Sequence, residues 1–308
     1  MRTNTATIRW FSVAPALLCA LILTACAGHR THLTTPVAPV GDGIAVTRIT
    51  EAFVAAAPVD AQVDSITTWL TPDAEVRVIA SAKNAGNLLV YDGTTGDLLF
   101  EPLPPGTLAY PNGLATYGDT LFVVERDAGR VQAFVLPEFI LLGHFGEGEL
   151  IAPYGLWLYE SAPDELNVFI TDSYQDGDQL PPLESMDRRV HRYRVQRGVD
   201  SIQSTPVAVF GGSDEAGALR WVESITGDVA FNRLAIADEH PDQRDAGIAM
   251  YTLDGQYTGT RMGKGLFQGD PEGIALYECP NGEGYWIAAD QGKDDNRFHI
   301  FDRASLDY

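Results

Sequence analysis

Positive charge is scarce in this chain. Against 42 Asp and Glu it sets 21 Lys and Arg, a formal net charge of −21. A chain this acidic repels nucleic acid and anionic membrane surfaces, which excludes both as direct partners. Cysteine is scarcer, at three. Histidine numbers six, and His144, His191, His240 and His299 fall at no metal-ligand spacing. No His-Glu-x-x-His helix, Gly-x-Ser-x-Gly elbow or phosphate-cradling P-loop occurs, which removes zincin, hydrolase-elbow and nucleotide-binding chemistry from the first choices. No long window carries a helical period, and no apolar run is long enough to span a bilayer comfortably.

One apolar run does stand out. Phe11 to Thr24 follows Arg2 and Arg9 and ends in Leu23-Thr24-Ala25-Cys26. This is the layout of a signal peptide over residues 1–25 with a bacterial lipobox, so Cys26 is the expected lipidation site. Ala27 beside it fits sorting to the outer membrane, facing the periplasm or exterior of a Gram-negative cell. Residues 26–45 read as the lipidated cysteine and a flexible tether, and 46–308 as the folded domain. The leader carries two arginines and no acid, so its removal takes the net charge to about −23. With Cys19 in the leader and Cys26 lipidated, Cys279 is left as a bystander thiol in a turn, and no intramolecular disulfide is expected.

The body of the chain is repetitive. Pro111-Asn-Gly-Leu114, Pro153-Tyr-Gly-Leu156 and Pro271-Glu-Gly-Ile274 each precede a β-rich run: Leu121–Val124, Asn167–Ile170 and Tyr285–Ala288. Thr226-Gly-Asp-Val229 before Leu234–Ala237 reads as a degenerate copy. Alternating strands then close each unit at 87–91, 130–134, 190–195, 247–253 and 297–301. Units of roughly 40–60 residues with short strands and Gly-rich turns are the pattern of propeller blades. The fold class is therefore all-β, a β-propeller with five blades visible. Its ring closes either through a strand from 43–50 or 52–59, or with a sixth, C-terminal blade missing from the chain.

Chemistry then rests on acids near strand ends: Asp64, Asp238-Glu239 and Asp270-Pro-Glu272. Inner strand ends of different blades meet at one mouth of a propeller, so acids distant in sequence can converge on a hard cation there. The loop from Asp172 to Glu184 lacks the EF-hand spacing, because Tyr174 stands where a second acid is needed, and it reads as a solvated loop.

Gly269-Asp-Pro-Glu-Gly-Ile-Ala-Leu-Tyr277, Asn281-Gly-Glu-Gly-Tyr-Trp-Ile-Ala-Ala-Asp-Gln-Gly292 and Phe298-His-Ile-Phe-Asp-Arg303 together are similar to β-propeller phytases. A fainter similarity runs from Val63 to Tyr91. The resemblance implies a six-bladed propeller using Ca²⁺ to hydrolyse phytate, a polyanionic small molecule, as a monomer that meets the membrane only through its lipid. It implies Asp64, Glu239, Asp270 and Glu272 as calcium ligands, with Asp228 standing for the acid of a Thr-Glu-Gly element. Lys83, Arg126 and Tyr154 would hold substrate phosphates. A lysine expected after the third blade's inner strand falls near Ser173. Two other readings stay open: a lactonase-like Ca²⁺ propeller, and a lipid-anchored scaffold propeller with impaired catalysis.

Overall fold

A computed structural model describes residues 8–10, 47–51, 53–175, 177, 179–212, 215–239, 245–292 and 296–308. The leader, tether and Cys26 lie outside these apart from β1 (Ile8–Trp10), which pairs with β2 (Phe53–Ala55). The rest is a five-bladed β-propeller, with one short 3₁₀ turn and no α-helix among the described residues.

Each blade is an antiparallel meander. Blade one is β3 (Val63–Leu70), β4 (Val76–Ala82), β5 (Asn87–Asp92) and β6 (Leu98–Phe100). Blade two is β7 (Pro111–Tyr117), β8 (Thr120–Glu125), β9 (Arg130–Val135) and β10 (Ile140–Phe145). Blade three is β11 (Pro153–Ala162), β12 (Glu165–Asp172), β13 (Val190–Arg197) and β14 (Ile202–Phe210). Blade four is β15 (Trp221–Asp228), β16 (Arg233–Glu239), β17 (Gly247–Tyr251) and β18 (Tyr257–Met262). Blade five has three strands, β19 (Asp270–Glu278), β20 (Gly284–Gln291) and β21 (Asn296–Asp302).

The second strands β8, β12 and β16 are buried on both faces, which is why they read as continuous apolar runs, whereas β20 of blade five alternates buried and half-buried residues. In β8, Leu121 and Val123 pack towards blade one with Ile79, Leu88 and Val90. Phe122 and Val124 pack towards blade three with Val168, Ile170 and Tyr193. Equivalent cores join blades three and four around Phe169, Leu234 and Tyr251, and blades four and five around Ile248, Met250 and Trp286. Among the described residues no comparable packing joins β19 of blade five back to β3 of blade one. Blade one is instead covered by Ala55 and Ala61 from the segment before it, against Ala80, Leu89 and Tyr91.

The segment 52–59 does form a strand, β2, but it pairs with β1 and leaves blade five three-stranded. Cys279 is disulfide-bonded, which corrects its reading as a lone thiol; the other two cysteines fall outside the described residues. The Asp172 carboxylate is also no part of a solvated loop. It is buried and accepts the Ile151 and Ala152 N–H groups at 2.9 and 2.7 Å.

Candidate functional site

All five inner strands share one irregularity. The pairing of first and second strands slips between Val63 and Ile66, Pro111 and Leu114, Pro153 and Leu156, Val222 and Ile225, and Pro271 and Ile274. A bulge of this kind re-aims a side chain and bends the strand that carries it. The first bulged residue of each blade is Asp64, Asn112, Tyr154, Glu223 and Glu272. The second is Ser65, Gly113, Gly155, Ser224 and Gly273.

In blades two and three the second residue must be small because each bulge stacks on the next. A Cβ at Gly113 would lie 2.5 Å from the Tyr154 carbonyl oxygen, and one at Gly155 2.4 Å from that of Glu223. Ser224 uses its hydroxyl instead and donates to the Glu272 carbonyl. The backbone of one bulge therefore seats the next, and the five first residues run around the axis in blade order.

A second series lies beside it. The second-strand residue paired with the one just before the bulge is Ala82, Glu125, Asp172, Asp238 and Asp290 in turn. The four acids are structural. Their carboxylates accept loop amides of Ala109, Ala152, Arg220 and Gly269 at 2.6–2.9 Å. Arg130, Arg261 and His299 meet three of them from the outer strands at 2.5–3.0 Å. The residue after each position is Lys83, Arg126, Ser173, Glu239 and Gln291. With the bulge residues included, the mouth is polarised: its cations lie on blades one and two, and its acids, Asp64 of blade one apart, on blades four and five.

Lys83 is the hub of the cationic side. Its ammonium stands 2.7 Å from Asp64 and donates to the Tyr154 hydroxyl at 2.8 Å, although only 9% of the residue is exposed. The Glu223 carboxylate adds negative charge around the Tyr154 hydroxyl. Burial, with Glu223, Asp64 and Glu272 close by, keeps this phenol protonated far above its ordinary range. Arg126 lies flat on the Tyr110 ring at 3.7 Å and bonds Asp127 at 2.8 Å, while Lys83 lies 5.8 Å from the same ring.

The acidic side is under electrostatic load. Burial pushes Glu223 well above the usual carboxylate range, and Glu272, Glu239 and Asp64 push it further. Glu272 is raised to about 8 by burial and by Glu239 and Asp64, against the relief that Lys83 offers. Glu239 is raised to about 7 by burial, Asp270 and Asp238. Glu223 Oε2 is buried without a hydrogen-bond partner. Among the described residues, no three of His, Cys, Asp and Glu stand close enough to enclose a metal unaided. The donor chemistry nevertheless suits a hard cation: the set is all oxygen, its members raise one another's pKa values, and one buried oxygen has nothing to bind.

Of the residues expected from sequence, Asp64, Lys83, Tyr154, Glu239, Asp270 and Glu272 come together here, with Arg126 beside them on Tyr110. Asp228 does not. It lies at the opposite end of β15 in a buried bidentate pair with Arg303, at 2.6 and 2.8 Å, and also accepts the Ala230 N–H at 3.0 Å. Burial alone would raise its pKa, but Arg303 holds it below the usual range. The acid belonging to this blade is Glu223. Val222-Glu-Ser-Ile225 is the frame that matches Pro-x-Gly-aliphatic, with Ser in place of Gly, and Val63-Asp-Ser-Ile66 is the same frame in blade one. Accepting Ser for Gly in that frame would have found it.

Residues 220–308 match the Phytase family model, and the stretch 269–303 lies inside that match. No curated protein matches the chain. Among solved structures, the chain is similar to hydrazine synthase of Kuenenia stuttgartiensis at 10% identity and a TM-score of 0.47. That similarity covers 80% of this chain and spans only 64% of the synthase chain. A chain of a nidogen/laminin complex is similar at 15% identity and TM-score 0.48, over 87% of this chain and 90% of that one. A protein of unknown function from Bacteroides caccae is similar at 11% identity and TM-score 0.44, over 70% and 72% respectively.

Proposed function

We propose that the mouth of this propeller is a calcium-dependent phosphomonoesterase site whose substrate is phytate. The observation that carries the reading is the polarised mouth, cations facing acids, in a chain whose last 89 residues match the Phytase family model. A polyanionic substrate and a protein of net charge −21 repel each other unless a divalent cation reverses the local sign. Glu223, Glu239, Asp270 and Glu272, with Asp64, would hold Ca²⁺, with water and substrate oxygens completing its shell. Bound there, it would polarise a phosphoryl oxygen and lower the pKa of a bound water.

The chain's own groups supply the rest. Lys83 and Arg126 neutralise charge developing on the transferring group, and both are preorganised, one by Asp64 and Tyr154 and the other by Tyr110. The Tyr154 hydroxyl keeps its proton and so serves as a donor to a phosphoryl oxygen. No histidine or cysteine nucleophile is required. The test is phosphate release from calcium phytate near neutral pH. Release that EDTA abolishes and calcium restores supports the reading, and absence of release in saturating calcium ends it.

A second reading, a propeller that binds without turning over, is favoured by Ser173, which puts a neutral hydroxyl in the third place of the series that Lys83 and Arg126 begin. It predicts phosphate or calcium binding by calorimetry with no release.

A further inference from the structure

Asn112 is the one first-bulge residue to which that reading gives no role. It is fully buried, and neither its amide nitrogen nor its amide oxygen has a hydrogen-bond partner among the described residues. An unpartnered buried amide is costly, and natural structures rarely keep one without a purpose. Its place in the ring falls between two residues that Lys83 joins. Lys83 reaches from Asp64, the bulge residue of blade one, to Tyr154, the bulge residue of blade three. The position between them belongs to blade two, and it is Asn112. A Cβ at Gly113, the next residue, would strike the Tyr154 backbone, so blade three is in direct contact there.

We propose that Asn112 is a substrate-binding residue, held in reserve under the bridge from Asp64 through Lys83 to Tyr154. An anionic phosphoryl oxygen competes with Asp64 for the Lys83 ammonium. As the ammonium turns to it, the bridge opens and the Asn112 amide donates to the same anion. The inference rests on the phosphomonoesterase reading and adds a residue and a resting state to it. The amide contributes to ligand affinity, and breaking it removes no hydrogen bond from the unliganded protein.

The experiment is calorimetric titration of inorganic phosphate, at fixed calcium, into the full chain and its Asn112→Ala and Asn112→Asp variants, with thermal unfolding of each in the absence of phosphate. Asn112→Ala is expected to weaken phosphate binding about tenfold, the worth of a hydrogen bond to a charged group. It should melt no lower than the parent without phosphate. Asn112→Asp should bind phosphate more weakly than Asn112→Ala, because its carboxylate faces the anion. Phosphate affinity equal to the parent's in Asn112→Ala would overturn the proposal, as would a lowered melting temperature with affinity intact. A parent that binds no phosphate would end the phosphomonoesterase reading, and this inference with it.

Discussion

Glu223, Glu239 and Glu272 repel one another across the mouth, and the direction of that strain is measurable. A carboxyl whose folded pKa exceeds its unfolded one favours folding while it is protonated and loses that advantage as pH rises. From an ordinary 4.5, Glu239 rises to about 7 and Glu272 to about 8. Without divalent cations the melting temperature is therefore expected to fall as pH goes from 5 to 8. Calcium should reverse the fall at pH 8, and a scanning calorimeter decides both points. Glu223→Gln should raise the melting temperature at pH 8 without calcium, since it removes a carboxyl whose ionisation burial, Glu272, Glu239 and Asp64 all oppose, and it should cut calcium affinity at least tenfold. Asp228 makes the opposite prediction. Asp228→Ala leaves the buried Arg303 with only the exposed Glu278 at 3.2 Å and the Gly282 carbonyl as partners, which costs about 3 kcal/mol. Calcium affinity should be unchanged, because the residue lies at the far end of β15. The sequence offers both acids on one strand, and their places at its two ends put Glu223 at the mouth and Asp228 against Arg303.

At the scale of strands, legibility follows burial. β13 and β21 are legible from an alternation that records which face meets a core, whereas β5, β9 and β17 are buried on both faces and, like most second strands, are marked by apolar residues. The fourth strands were not readable. Leu98, Leu99 and Phe100 of β6 are all exposed on the outer rim, so no core imposes a period on them. The bulges were half readable: Pro-x-Gly marks three of them, but Val-Asp-Ser-Ile and Val-Glu-Ser-Ile preserve only the geometry, small residue second and aliphatic fourth. Lys83 and Arg126 were found through resemblance, although their equivalence is purely positional. Asn112 carried no signal, since an asparagine before glycine usually reads as a turn. The bulges are also where a minimal change should do most. Gly155→Ala would drive a methyl group into the Glu223 carbonyl. Overpacking of this order costs about 1–3 kcal/mol. Because that carbonyl belongs to the residue with the unpartnered carboxylate oxygen, calcium affinity should fall with stability in the same variant, as equilibrium denaturation and calorimetry would show together.

For the molecule as a whole, four cores join five blades, and the fifth junction is the exception. The faces that would meet there keep large apolar side chains in water: Ile66, Leu70 and Val76 on blade one, Phe298 and Ile300 on blade five, with Leu70 65% and Ile300 53% exposed. Apolar surface exposed on a sheet face binds hydrophobic dyes. The folded chain is expected to enhance anilinonaphthalene sulfonate fluorescence, and Ile300→Thr with Phe298→Thr should diminish it while leaving the mouth acids in place.

Such a ring behaves as an array with two ends. Each blade draws stability from its neighbours, so blade five, packed against a blade on one side only among the described residues, is the place from which unfolding frays. Amide hydrogens of β20 and β21 should exchange ahead of those of β8 and β12. Asp270 and Glu272 sit on that same terminal blade. A cation held between them and Glu239 of blade four would act as a rivet, and the first region to lose exchange protection would be the one that calcium slows most.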